Sequence, residues 1–127
     1  MILKRIVSGE AKGKILKSSK PINFLGAVDN KTGVVRDAAH DLFGRSLKDS
    51  ILVFPHGAGS SVGAYTIYSL KSEGAAPKAM VCLKADLTVA SGCALANIPL
   101  VIVDEWEFGE LKNGQELEIN EKGIAKG

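Results

Sequence analysis

The stretch Ile-Leu-Val-Phe-Pro-His-Gly-Ala-Gly-Ser-Ser-Val-Gly, residues 51–63, decides the fold of this chain. Its first four residues are apolar without alternation, which is typical of a strand covered on both faces. Pro55 ends that strand, and the glycine-rich segment leads into apolar residues spaced as on one face of a helix. This spacing predicts a helix over 61–72, which Gly74 and Pro77 stop. A strand, a glycine-rich turn and a helix in this order predict an α/β fold.

The rest of the chain supplies further short elements around this unit. Strands are expected at Ile2–Val7, Lys14–Lys17, Ala79–Leu83, Leu100–Val103, Trp106–Phe108 and Leu117–Ile119. Residues 87–96 read as a strand or a short helix, residues 36–50 as an irregular connection or a helical turn, and residues 121–127 as a frayed end. We therefore expect one domain over residues 1–127, in which a small parallel β layer packs beside a β-rich N-terminal half.

Composition limits the classes of function that fit this sequence. The 127 residues are 46% hydrophobic and 24% charged, which suffices for a core without a disulfide or a structural metal. A net charge of +2 and an aromatic content of 6% argue against a nucleic-acid surface. Neither a signal peptide nor a membrane-length apolar run occurs, so we expect a cytoplasmic protein without membrane contact.

The two cysteines, Cys82 and Cys93, stand in apolar surroundings. Buried reduced thiols are the favoured interpretation, and a disulfide or a ligand pair is the alternative. A cubane iron–sulfur cluster needs three or four cysteine ligands. If this protein works with such a cluster, another chain must hold it.

The segment Gly57-Ala58-Gly59-Ser60-Ser61 is the strongest candidate for chemistry. Glycines permit a positive φ and close approach of the backbone, and the first turn of a helix leaves N–H groups unpaired. These donors favour a carboxylate or a phosphate. Ser60 or Ser61 could instead be only a helix cap, and the residues alone leave the two interpretations open.

Three other polar residues are candidates with plain structural alternatives. His56 precedes the turn and is either an acid–base group or a hydrogen-bonded structural residue. His40 lies among charged neighbours that could form a surface cluster. Asp29 with Thr32 is typical of an Asx turn, and a substrate-facing carboxylate is the alternative. Neither a Ser-His-Asp triad nor a metal site is supported by the spacing.

Three separated motifs, in order, resemble one known family. They are Phe24-Leu25-Gly26-Ala27-Val28-Asp29-Asn30-Lys31-Thr32-Gly33, then His56-Gly57-Ala58-Gly59-Ser60-Ser61-Val62-Gly63, then Gly92 with Ala96-Asn97-Ile98-Pro99. Together they are closely similar to the small subunit of the aconitase X family, over nearly the whole chain.

This resemblance implies a swivelling β/β/α domain of the aconitase type. In that superfamily the swivel domain closes over a [4Fe-4S] cluster held by a separate large domain or subunit, and it brings a serine that accepts the substrate proton. The resemblance assigns that role to Ser60. We expect Gly59 and Ser61, with the neighbouring amides, to bind the substrate anion, and His56 and Asp29 are further candidate ligands. Classical aconitases carry an arginine where this chain has Val62, so the substrate carboxylate must be bound differently.

The activity implied is that of a hydro-lyase subunit that works only with a large subunit. Within the family, the similarity points to dehydration of (R)-5-phosphomevalonate to trans-anhydromevalonate 5-phosphate in the archaeal mevalonate pathway of isoprenoid synthesis. Dehydration of hydroxyproline or another hydroxy acid is the alternative within the family. A non-catalytic module that binds an anion or assists assembly is the alternative outside it.

Overall fold

The computed structural model describes residues 1–127, which form seven strands and four helices. The strands are β1 (Ile2–Val7), β2 (Ala11–Lys17), β3 (Ile51–Phe54), β4 (Ala79–Cys82), β5 (Leu100–Val103), β6 (Glu116–Asn120) and β7 (Gly123–Lys126). The helices are α1 (Phe24–Ala27), α2 (Gly63–Ser72), α3 (Leu87–Ala96) and α4 (Glu105–Glu110).

All seven strands belong to one mixed sheet in the order β1-β5-β4-β3-β2-β6-β7. The four central strands, β2 to β5, run parallel, and β1, β6 and β7 join antiparallel at the two sides. The N-terminal half is therefore part of the same sheet and does not pack beside it. Local sequence could not show this, because β2 pairs with β3 across a long connection.

Both faces of the central sheet are covered, as the apolar run of β3 predicts. Leu52 and Phe54 point into a large cluster shared with α2 and α3, whereas Ile51 and Val53 point into a second cluster shared with α4 and β6. All four β3 residues are fully buried. This strand is the central element that fixes where the following turn emerges.

The sheet is curled, so that its two sides approach each other. The guanidinium of Arg5, on β1, donates a hydrogen bond to the carbonyl oxygen of Asn120 at the end of β6. Helix α4 closes the concave side, where the buried Glu107 carboxylate pairs with the Lys126 ammonium at 2.7 Å and with the N-terminal ammonium of Met1. The resulting half-barrel, with α2 and α3 on the face opposite α4, is the α/β fold that the sequence predicts.

Four local expectations differ from the structure or are decided by it. Residues 106–108 are helical, because the Asp104 carboxylate caps the segment by accepting from the Glu107 N–H at 2.8 Å. Residues 123–126 form strand β7 through pairing with β6, and only the last residue lies beyond it. Residues 87–96 are a helix, and Phe24–Ala27, expected as the start of a loop, form one helical turn.

Candidate active site

Three parallel strands end at the same edge of the sheet, and each is followed by a polar segment. Asn23 follows β2, the Gly57–Ser61 turn follows β3, and Asp86 follows β4. Because β2, β3 and β4 are neighbours, these segments meet although they are far apart in sequence. The carboxyl edge of a parallel sheet is the usual position of ligand sites in α/β folds.

Backbone and carboxylate hydrogen bonds fix the entry to the turn. Ile22 pairs with Gly57: its N–H donates to the His56 carbonyl at 3.2 Å, and its carbonyl accepts from the Ala58 N–H at 2.9 Å. On the other side, the Gly57 N–H donates to Asp86 Oδ1 at 2.9 Å. The segments after β2 and β4 therefore hold the turn from both sides.

Two positions of the turn accept only glycine. Gly59 has φ +87°, and a Cβ there would lie 2.5 Å from the side-chain oxygen of Asn23. At Gly57 a Cβ would lie 2.7 Å from Val89 Cγ2 and 2.8 Å from an Asp86 carboxylate oxygen. Neighbouring segments thus contact the turn backbone directly, as the glycine pattern predicts.

The exposed part of the turn carries unused hydrogen-bond donors. The N–H groups of Gly59, Ser60 and Ser61 have no acceptor within the chain. The following N–H of Gly63 donates to the Ser60 carbonyl at 2.9 Å and begins α2, two residues later than the sequence predicts. Three successive free donors at the positive end of a ten-residue helix favour an anion.

Neither serine occupies the helix cap position, which belongs to Val62. The Ser60 Oγ accepts a long hydrogen bond of 3.2 Å from the Val62 N–H, which leaves its own hydroxyl proton free to donate. The Ser61 hydroxyl has no partner in the chain, and both side chains are exposed. The simple capping interpretation therefore does not account for two serines at this place.

The structure places the two histidines in different roles. His56 is exposed beside the turn, where its Nδ1 lies 2.7 Å from the Gly57 carbonyl oxygen and Nε2 makes no hydrogen bond within the chain. His40 is buried: Nε2 donates to the Pro21 carbonyl at 3.0 Å and Nδ1 accepts from the Leu42 N–H at 3.1 Å. His40 therefore supports the segment leading to Ile22, and Asp41 Oδ1 also lies 3.1 Å from its Nδ1.

Asp29 forms the Asx turn that its sequence context indicates. One carboxylate oxygen accepts from the N–H groups of Lys31 and Thr32, at 2.8 and 3.1 Å, and the other pairs with Arg36 at 2.8 Å. The backbone hydrogen bonds lower the pKa of this carboxyl, with a smaller contribution from the arginine. Both oxygens of Asp29 have partners in the loop, and its role as a substrate ligand stays a prediction.

The sequence patterns did not indicate two residues of this site, Asn23 and Asp86. Asn23 lies six residues after β2 and Asp86 four residues after β4, and each immediately precedes a helix, which is the position of a cap residue. Asp86, however, makes no cap hydrogen bond with its own helix and accepts from Gly57 instead. A polar residue after a parallel strand is the signal that could have found them.

The residues of the chain do not fit an iron–sulfur cluster. Cys82 and Cys93 are both buried and free, and burial raises the pKa of both thiols, that of Cys93 to about 12. The Cys93 Sγ contacts Met80 Sδ at 3.5 Å within the core. No group of three or more histidine, cysteine or carboxylate side chains is arranged to hold a metal ion. The expectation of buried reduced thiols is thus confirmed.

The turn lies on an open part of the surface, with exposed apolar side chains nearby. The four surface cavities of the chain, among them a groove of about 540 Å³ between Met1–Arg5 and Glu121–Ile124, do not include residues 56–63. Three large apolar side chains near the turn are exposed: Leu25 at 48%, Val62 at 48% and Leu87 at 77%. Each stands at the start of a helix beside the turn, and we call these three residues the apolar collar.

No helix has the length and apolar character required to span a bilayer.

The chain is similar to proteins of one known family. Residues 1–126 match the family model described as the aconitase X swivel domain. The phosphomevalonate dehydratase small subunit of Thermococcus onnurineus is 45% identical over 124 residues, which cover 97% of this chain and 94% of that protein. The protein of the same name from Methanosarcina acetivorans is 47% identical over 91% of this chain and 81% of its own length.

Solved structures agree with these sequence relatives. The crystal structure of Thermococcus kodakaraensis aconitase X in its holo-form matches with a TM-score of 0.91 and 40% identity, over 97% of this chain and 94% of that chain. A solution NMR structure of a UPF0107 protein matches with a TM-score of 0.88 and 39% identity, over 98% and 95%.

Proposed function

Because the chain belongs to the aconitase X swivel-domain family, we propose that it is the small subunit of a phosphomevalonate dehydratase, a hydro-lyase of the mevalonate pathway. Relatives that carry this name are 44–48% identical to it. The observation that carries the proposal in the structure is the turn, with three free N–H donors and two exposed serines. A phosphorylated hydroxy acid is an anion that such donors suit.

Ser60 is the residue that accepts the proton in this reaction. Dehydration removes a proton from one carbon and a hydroxyl group from its neighbour, so the enzyme needs a base near the first carbon. A serine hydroxyl is a weak base unless its alkoxide is stabilised by oriented donors away from water. The free N–H groups of Gly59 and Ser61 stand on either side of Ser60 and are suited to this stabilisation.

Ser61 and His56 are proposed to bind the substrate. The Ser61 hydroxyl has no other partner, and the exposed His56 has a free Nε2 beside the turn. Asp29 remains a weaker candidate, because its carboxylate already has three partners in the loop. No arginine replaces the one that classical aconitases place at Val62, so backbone donors take a larger share in holding the anion.

A large subunit is the proposed partner, since relatives carry the name "small subunit". The turn is on open surface, so the water exclusion that an alkoxide requires must come from another chain. The apolar collar supplies a rim that such a chain can cover. We assign the iron–sulfur cluster of the family to the large subunit; when bound there, it supplies a Lewis acid for the leaving hydroxyl group. A cytoplasmic location stays a prediction.

Reconstitution with the large subunit tests this proposal. The chain alone should show no dehydratase activity, and the complex with reconstituted iron should convert 5-phosphomevalonate. Ser60→Ala should lower kcat by at least about a hundredfold, the usual contribution of general acid–base catalysis. Ser61→Ala is the matched control, one residue away on the same exposed turn, and should mainly raise KM.

Three results would overturn all or part of the proposal. Wild-type turnover by the Ser60→Ala complex would exclude Ser60 as the base. Turnover of hydroxyproline or another unphosphorylated hydroxy acid, with no reaction of 5-phosphomevalonate, would assign the chain to a different dehydratase of the family. Tight binding of inorganic phosphate by the chain alone, without any activity of the complex, would favour a non-catalytic module.

A further inference from the structure

The side chain of Asn23 lies directly against the catalytic turn. Its carboxamide fills the space between Gly26 and Gly59: a Cβ on Gly26 would lie 2.8 Å from Nδ2, and a Cβ on Gly59 would lie 2.5 Å from Oδ1 and 2.9 Å from Nδ2. Real Cβ atoms do not approach other atoms so closely. The absence of side chains at both glycines therefore makes room for this one amide.

One hydrogen bond orients this amide. The oxygen, Oδ1, accepts from the Gly26 N–H at 3.1 Å, which identifies the other terminal atom as the nitrogen. That Nδ2 group donates to no atom of the chain. Asn23 is exposed, and its Nδ2 group, with two N–H donors, lies next to Gly59 and the free backbone donors of the turn.

Helix capping accounts for only half of this arrangement. A cap requires the side-chain oxygen, and serine, threonine or aspartate supply one as well as asparagine does. The helix concerned, α1, has only four residues. Capping explains neither the contact with Gly59 nor the nitrogen without a partner. This nitrogen is a hydrogen-bond donor that lies close to the free backbone donors of the turn.

We propose that Asn23 is a substrate-binding residue whose Nδ2 group donates a hydrogen bond to the anionic substrate beside Ser60. This inference rests on the proposed function, because it assumes that the anion binds at the turn. Asn23 comes from the segment after β2, whereas Ser60 follows β3. The substrate would thus be held from two neighbouring strands, which fixes its orientation better than the turn alone.

Steady-state kinetics of the reconstituted complex with 5-phosphomevalonate tests this role. Asn23→Ser keeps a cap oxygen and remains neutral but lacks the terminal donors; Asn23→Asp keeps the shape and the cap but replaces the donors by a negative charge. We expect KM to rise about tenfold with serine, the effect of one lost hydrogen bond to a charged group, and further with aspartate. The value of kcat should change much less.

Asn120→Asp is the matched control for the charge change. Asn120 also accepts a backbone N–H through Oδ1, from Lys122 at 2.9 Å, and its Nδ2 makes no hydrogen bond in the chain, but it lies at the end of β6. The complex with Asn120→Asp should keep the wild-type KM for 5-phosphomevalonate. Urea unfolding of the Asn23 variants should match the wild type, because capping is preserved.

Each remaining outcome decides the question. A wild-type KM for Asn23→Ser overturns the inference, and so does a loss of kcat at constant KM in both variants. If Ser60→Ala abolishes turnover while the Asn23 variants bind normally, the inference fails and the proposed function stands. If Ser60→Ala turns over normally, the proposed function fails first.

Discussion

Gly92, in the middle of α3, offers the sharpest test of how the helices position the turn. A Cβ at this position would lie 2.9 Å from Ile67 Cβ, 2.7 Å from Ile67 Cδ1 and 3.2 Å from the Ala64 Cα on α2. Carbon atoms in good contact are about 3.5–4.0 Å apart. Since Ile67 is fully buried and two of the three atoms are backbone or next to it, Gly92→Ala must push the helices apart.

The expected loss of stability follows from two opposing terms. Inside a helix, alanine stabilises the folded state by about 1 kcal/mol relative to glycine. Overpacking a core typically costs about 1–3 kcal/mol, and the rigid atoms around Gly92 place this site at the upper end. We expect the free energy of unfolding to fall by about 1–2 kcal/mol.

Gly109→Ala is the matched control, since Gly109 is also helical but a Cβ there would meet nothing within 4 Å. In this variant only the higher helix propensity of alanine contributes, so the free energy of unfolding should rise by about 0.5–1 kcal/mol. Urea unfolding of both variants measures the difference. The reasoning is refuted if Gly92→Ala is as stable as the wild type. Because α2 begins at the turn, we also expect a lower kcat for Gly92→Ala in the complex.

Two further predictions concern the two ends of the molecule. The hydrogen bond from Lys126 and the neighbouring N-terminal ammonium lower the pKa of the Glu107 carboxyl. Glu107→Gln should therefore lower the free energy of unfolding by about 1 kcal/mol above about pH 5. This difference from the wild type should fade as the pH falls through the lowered pKa of Glu107. Urea unfolding at several pH values measures it, and a difference that does not depend on pH would contradict the ion pair. At the apolar collar, Leu87→Asp should weaken binding of the large subunit at least about tenfold, as measured by calorimetry. The control is Leu95→Asp, eight residues further along α3 and also exposed, which should not weaken binding. Equal effects of the two variants would contradict the apolar collar as the surface that the large subunit covers.

The sequence predicted the centre of the fold because the decisive signals there are local. The unbroken apolar run of β3 indicates burial on both faces, and the glycines of the next segment indicate a turn in which other atoms approach the backbone closely. The α4 helix was missed because Trp106 and Phe108 alternate with charged residues as in a strand. The acceptor that caps it, Asp104, was visible in the sequence and outweighs that alternation.

The remainder of the site depends on contacts between distant residues. Asn23 meets Gly59, and Asp86 meets Gly57, only because parallel pairing brings the ends of β2, β3 and β4 together. Nothing in the local sequence around Asn23 shows which turn it will contact. The strand order, which no local pattern contains, is the missing information.

The distribution of contacts separates folding from catalysis in this chain. Two buried clusters formed by residues of this chain cover both faces of the sheet. The groups that hold the turn, Ile22 and Asp86, are engaged within the chain, whereas the donors of Gly59 and Ser60 are unused. Substitutions at Ile22 or Asp86 should thus disturb both the turn and stability. Ser60→Ala should leave the free energy of unfolding within about 0.5 kcal/mol of the wild type, because within the chain it removes only the long, exposed hydrogen bond from the Val62 N–H.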